Sequence, residues 1–132
     1  GIPMEKRFNE IKHLKPGSFV LLDDVPMKVD SLQISKPGKH GGAKARIVAS
    51  GLFENKKVTV VKPADTKLDV PIIEKKSMQI IAIIGDNVQL MDLESYEMNE
   101  IPISDEFKGQ LVEGEEVLVW VFGKNLMIKG KK

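Results

Sequence analysis

The residues with types and spacing suited to chemistry lie in one segment, Ser35-Lys36-Pro37-Gly38-Lys39-His40-Gly41-Gly42-Ala43-Lys44. Lys36, Lys39 and Lys44 stand before, at and after its centre. Pro37 presets φ to about −65° at a turn entry. Gly38, Gly41 and Gly42 open backbone angles with φ > 0 that other residues reach only at a cost. The pattern predicts a tight hairpin tip with Lys39 projecting from it. Loops held on rigid scaffolds are where function concentrates, so the segment poses the question of what a lysine presented this way does.

Three kinds of chemistry can be weighed against the residues. A phosphate-binding loop needs G-x-x-x-x-G-K-[ST] ahead of a helix. Gln33 stands where the first glycine belongs, His40 where the serine or threonine belongs, and the following residues read as a strand. Nucleotide hydrolysis is therefore excluded as a reading. Nucleophilic and metal chemistry fare no better. The chain has no cysteine and only two histidines, His13 and His40, and no G-x-S-x-G elbow. His40 has no acid near it in sequence to orient it and reads as a surface residue, and His13 reads as a plain surface or packing residue. Asp23-Asp24 and Glu115-Glu116 read as solvated charge. Polyanion binding remains. Lys36, Lys39, Lys44 and Arg46 form a compact basic patch of the kind that neutralises phosphates without reading sequence. The aromatic residues of the second half, Tyr96, Phe107, Trp120 and Phe122, are few. Trp120 lies in an apolar strand and is expected in the core, so base stacking is not expected of that half.

The elements that must position the segment are short. Valine- and isoleucine-rich runs are broken by Gly, Pro, Asn and Asp, which predicts an all-β chain. The 132 residues suffice for one ordinary domain or two small ones. No apolar run approaches the roughly 20 residues that cross a bilayer as a helix. Gly1-Ile2-Pro3, ahead of Met4, is set aside. Residues 1–70 carry 13 Lys+Arg against 8 Asp+Glu, and residues 71–132 carry 7 against 11. The net charge of +1 thus conceals a basic half and an acidic half, and the basic half is the one expected to face a polyanion.

In the first half, Phe19–Leu22 predicts a strand that Asp23-Asp24-Val25-Pro26 turns back. Met27, Val29, Leu32 and Ile34 predict the next, with a bulge where their spacing slips at Ser31. Ala43, Ala45, Ile47 and Ala49 alternate with Lys44 and Arg46, so the two cations share a side. Val58, Val60 and Val61, then Thr66–Val70, complete a small barrel of SH3-like type over residues 1–70. The boundary is expected at Val70-Pro71. In 71–132, Met78–Ile84 is apolar on both faces and is expected centrally in a sheet. Gly85-Asp86-Asn87 predicts a hairpin into Val88–Met91. Tyr96–Ile103, Val117–Phe122 and Leu126–Ile128 follow, with one helical turn capped by Ser104 before the fourth strand. This is the pattern of a five-stranded Greek-key OB barrel.

The string from Ser35 to Arg46 closely resembles the signature loop of the translation factor 5A family, the archaeal and eukaryotic relatives of bacterial elongation factor P. Val70-Pro71-Ile72-Ile73-Glu74-Lys75 resembles that family's interdomain segment. Val88–Asp92 and Ser95-Tyr96 resemble its OB strands. Pro37 and the compact length resemble the archaeal form, and Gly42 departs from the eukaryotic pattern, which has histidine there. The resemblance implies a protein that is not an enzyme and binds no cofactor or metal. Lys39 would receive an aminobutyl group from spermidine, giving deoxyhypusine or, after hydroxylation, hypusine. Deoxyhypusine synthase, which uses NAD, would be the modifying enzyme, and Lys36, Pro37, Gly38, His40, Gly41 and Gly42 the loop it recognises. The resemblance also implies a cytoplasmic partner of the ribosome, not of membranes. It would sit beside peptidyl-tRNA and promote peptide-bond formation at stalled sites such as proline runs. Lys36, Lys44 and Arg46 are the residues expected against tRNA or rRNA phosphates. The other reading of the same residues is a general RNA-binding module with an unmodified basic loop.

Overall fold

The computed structural model describes residues 7–36 and 41–132. Their regular structure is all β, interrupted by two single-turn 3-10 segments. The chain divides into two compact units, Gly1–Pro71 and Ile72–Lys132.

In the first unit, β1 (Arg7–Glu10) pairs antiparallel with β6 (Lys67–Val70), and a separate sheet runs β2 (Phe19–Leu22), β3 (Val25–Ser35), β4 (Lys44–Gly51), β5 (Lys57–Pro63). β1 is followed by a 3-10 turn, Ile11–His13. The turn after β2 is tighter than the sequence suggests. Only Asp23 and Asp24 form it, both left-handed with φ of 51° and 63°, which aspartate tolerates in a two-residue hairpin. Val25 and Pro26 already belong to β3 and pair with Leu22 and Leu21. The expected bulge is present: the β3–β4 register slips between Val29 and Ser31. Asp30 is the extra residue, and its Oδ2 accepts a hydrogen bond from the Ser50 hydroxyl of β4. β4 alternates as expected, with Ala45, Ile47 and Ala49 fully buried. They pack with Ile11, Val20, Met27 and Val29 into one core, each large side chain contributing about 1.5–3 kcal/mol by leaving water. Gly51, the last residue of β4, must be glycine because a Cβ there would lie 2.5 Å from the Glu54 carbonyl oxygen.

The second unit is a five-stranded sheet in the order β11 (Asn125–Lys131), β10 (Glu116–Phe122), β7 (Glu74–Ile84), β8 (Asn87–Asp92), β9 (Met98–Pro102). β7 is central, as its apolar run predicts. Its two ends differ, however: Met78 and Ile80 are buried, while Ile81, which forms a bulge, and Ile83 and Ile84 beyond it remain exposed. Gly85 and Gly123 begin the β7–β8 and β10–β11 turns with φ of 60° and 57°, left-handed angles that glycine supplies without strain. The helical turn is a 3-10 segment, Asp105–Phe107. Ser104 precedes it, but its side chain makes no capping bond; its carbonyl accepts from the Phe107 N–H instead. Phe107, Met78, Ile80, Val88, Leu90, Val117 and Val119 form the second core.

Candidate functional site

The sequence-predicted segment connects β3 to β4. The final pair of the ladder is Ser35 with Lys44, so eight residues, 36–43, form the connection. The tight tip expected there, with Lys39 projecting from it, falls outside the described residues. Of the site residues, Pro37, Gly38, Lys39 and His40 lie outside the described residues. Lys36 is exposed immediately after the last pair. Gly41 and Gly42 are exposed, neither takes a left-handed φ, and open space surrounds the position of a Cβ at each. The expectation that positive φ requires glycine at these two positions is therefore corrected. What glycine confers there is the absence of a side chain.

Two sets of hydrogen bonds close the neck of the loop. The Ser35 hydroxyl donates to the Lys44 carbonyl at 3.3 Å. The Ala64 N–H donates to the Ala43 carbonyl at 2.9 Å, and the Lys12 N–H to the Ala64 carbonyl at 3.0 Å. These tie the loop root to the end of β5 and to the first 3-10 turn. A groove of about 460 Å³ lies beside the root, lined by Lys12, Gly42, Ala43, Lys44, Pro63 and Asp65 among others. Lys12 Nζ is 3.1 Å from Glu10 Oε2, and this bond holds the Glu10 carboxyl below the usual carboxylate range.

Lys44 and Arg46 are exposed on the outward face of β4, alternating with buried Ala45 and Ile47. In register, Gln33, Arg46 and Val61 form one cross-strand row and Ser35, Lys44 and Pro63 the next. This face opens into a second groove of about 640 Å³, lined by Gln33, Ile34, Ser35, Lys44, Arg46 and Val61. Val61 is 63 % exposed and Ile34 45 % exposed. Sequence reasoning took both for ordinary strand positions. The signal for Val61 was its place one residue after Val60, which puts it on the opposite face of the strand. The surface is thus cationic with apolar ground between the charges, able to seat a phosphate chain and the sugars attached to it. Among the described residues no group of three or more His, Cys, Asp or Glu could hold a metal ion, and no helix is long and apolar enough to cross a membrane.

Trp120 corrects a further expectation. It is not in the core: it alternates with buried Val119 on the outward face of β10 and is half-buried there. Lys129 Nζ lies 4.8 Å and Lys75 Nζ 5.4 Å from its ring centroid.

With this geometry in view, known proteins can be compared. Residues 7–66 match a family model described as translation initiation factor 5A-like, N-terminal. Residues 72–129 match one described as eukaryotic elongation factor 5A hypusine, DNA-binding OB fold. The chain is 54 % identical over 114 residues to a translation initiation factor 5A of Methanothermobacter thermautotrophicus, covering 86 % of this chain and 88 % of the relative. It is 47 % identical over 124 residues to that of Thermococcus kodakarensis, covering 91 % of each. A solved structure described as eukaryotic translation initiation factor 5A from Methanococcus jannaschii superposes with a TM-score of 0.83 at 40 % identity, covering 99 % of this chain and 98 % of that one. Two family models in tandem, half-identical relatives and a shared two-barrel fold agree: the chain belongs to the translation initiation factor 5A family.

Proposed function

We propose that this protein binds the ribosome next to peptidyl-tRNA and promotes peptide-bond formation at stalled sites such as proline runs, through a spermidine-derived deoxyhypusine or hypusine on Lys39. The observation that supports it best is the mounting of the loop. A hydrogen-bonded neck at Ser35 and Lys44 closes the root of the connection between β3 and β4, in a sheet whose outward face carries Lys44 and Arg46. Deoxyhypusine synthase, with its own NAD, would move the aminobutyl group of spermidine onto the Lys39 amine. One C–N bond of spermidine breaks, one forms at Nζ, and the remaining diamine leaves. The acceptor amine must be uncharged to attack, which desolvation in an enclosed enzyme site favours. Gly41 and Gly42, with no side chains and open space around them, keep the flank of Lys39 slim enough to enter. The chain is then the substrate of an enzyme, acting in the cytoplasm with no bound cofactor of its own. On the ribosome, Lys36, Lys44 and Arg46 would meet RNA phosphates and fix the loop's position. The lengthened side chain would steady the acceptor end of peptidyl-tRNA, and the contribution to rate is positional.

The exposed cations also support a second reading, a general RNA-binding module with an unmodified loop. One experiment separates the two. Peptide mass analysis of protein from the native host is expected to show a single spermidine-derived adduct, on Lys39. Lys39→Arg is expected to fold normally and to fail in restoring synthesis of a polyproline reporter in cells depleted of the factor. Unmodified Lys39 throughout, or full rescue by Lys39→Arg, overturns the first reading in favour of the second.

A further inference from the structure

The face around Trp120 lies in the acidic unit yet is itself cationic. Seven of the eleven carboxylates of residues 72–132 fall between Asp86 and Glu106, a stretch without a single Lys, Arg or His. Six of the seven lysines, Lys75, Lys76, Lys124, Lys129, Lys131 and Lys132, fall on β7, β11, the turn between β10 and β11, or the residue after β11. The unit's charge is thus divided between the β8–β9 side and the β7–β10–β11 side. Lys76 points to the inner side and pairs with Asp92, and Lys131 lies 3.6 Å from Glu115. Lys75, Lys129 and Lys132 gather on the outward face with Trp120.

Register explains the gathering. Trp120 faces Lys75 of β7 on one side and Met127 of β11 on the other. The β10–β11 ladder slips between Leu118 and Val119, leaving Lys129 as the extra residue. A bulge re-aims the side chain it inserts, and this one sets Lys129 over the indole ring. The Lys132 amine donates to Ser77 Oγ, next in the outward row of β7 after Lys75. Glu116 is the carboxylate on this face, four residues along β10 and so about 13 Å from Trp120.

We propose that this face binds single-stranded RNA, with one base stacked on Trp120 and its flanking phosphates held by Lys75 and Lys129. An aromatic ring among cations is the arrangement that takes single strands without sequence preference. Each ammonium group stands over the ring that a base would stack on. Binding exchanges each cation–π contact for a phosphate contact and gives the ring to the base. The site is independent of Lys39 and of the first unit's basic face. Electrostatics favour a phosphate chain over an apolar ligand, because two cations converge on the Trp120 ring.

Trp120 is the only tryptophan in the chain, so its emission reports this site alone. The test titrates full-length Lys44→Gln/Arg46→Gln protein, in which the first unit's patch is weakened, with a 12-nucleotide oligouridylate. Saturable quenching of Trp120 is expected. Log affinity should fall with log salt, and Lys75→Gln/Lys129→Gln should flatten that slope by about 1.4, two contacts at about 0.7 each. Trp120→Leu, confirmed folded by circular dichroism and followed by anisotropy of labelled RNA, should weaken binding about tenfold or more. The proposal is overturned if RNA binds without changing Trp120 emission, or if the lysine double variant keeps full affinity and slope. It is equally overturned if polyglutamate or duplex RNA quenches as strongly as the single strand, which would assign the face to an acidic protein or to duplex backbone.

Discussion

Asp92 accepts three hydrogen bonds: from Lys76 Nζ at 2.7 Å, from the Glu94 N–H at 2.8 Å and from the Ser95 N–H at 3.3 Å. It is the buried charged residue of the described chain, 4 % exposed, and it closes the turn after β8. The Lys76 bond first, then the Glu94 amide, hold its carboxyl down from 3.8 to about 2. A depressed folded pKa stabilises the fold above the unfolded value and is lost as pH falls through the folded one. This contribution, about 2 kcal/mol, should therefore be intact at neutral pH and disappear between about pH 4 and pH 2. Lys76 is shifted the other way, upward, by the same bond. Its share is present below the ordinary lysine value and is lost only as pH rises through its raised folded pKa. Asp92→Asn keeps an acceptor for the two amides but loses the charge. Urea unfolding at pH 7 should show a loss of about 1–2 kcal/mol, shrinking toward zero at pH 2. Equal losses at both pH values would rule out the ion pair as the cause.

At the scale of elements, legibility in the sequence followed the physics of each signal. β4 could be read residue by residue, because Ala45, Ile47 and Ala49 alternate with Lys44 and Arg46 and a period of two admits one assignment of faces. The bulge at Asp30 was legible for the same reason, as a break in that period. Trp120 was not. Its strand is apolar at Val117, Leu118, Val119 and Val121, so hydrophobicity leaves its face undetermined, and only register against Lys75 and Met127 decides it. The turn at Asp23-Asp24 was overextended into Val25-Pro26 because proline usually marks a turn, although it is tolerated at the start of a strand. In the β3–β4 loop the glycines were assigned a backbone role that Gly41 and Gly42 do not have. A prediction follows for Gly42→Ala. With open space at the Cβ and no left-handed φ, the variant should be as stable as the parent, or up to about 0.4–1 kcal/mol more so. It should nonetheless be a poorer acceptor of the aminobutyl group when mixed with deoxyhypusine synthase and spermidine. Lost stability with unimpaired modification would return Gly42 to a structural role.

For the whole molecule, the two cores share no residue. One is built on Ile11, Val20, Met27, Val29 and Ile47, the other on Met78, Ile80, Val88, Leu90, Val117 and Val119. Each unit is large enough to fold but small enough to be marginal, on the order of 3–5 kcal/mol. Residues 1–71 and 72–132 expressed separately are each expected to unfold cooperatively on heating, with the second fragment followed by its own Trp120. A fragment without a cooperative transition would show that the units fold only together. The charge division runs along the same boundary, +5 before it and −4 after it, so the two units present opposite fields to whatever they meet.

The asymmetry of β3 has a further consequence. β2 pairs only with Val25–Lys28, whereas β4 accompanies β3 as far as Ser35. Past the bulge, Ser31–Ser35 runs about 16 Å as the outer margin of a three-stranded finger. The finger is a ruler. Because strand faces repeat every two residues, β3 and β4 could each lose two residues and keep their buried and exposed sets. The loop would then be withdrawn by about 7 Å. Sequence pattern would hardly register such a deletion, yet the distance between body and tip would no longer be the same. Selection for a fixed working distance would therefore appear in this protein as a fixed strand length.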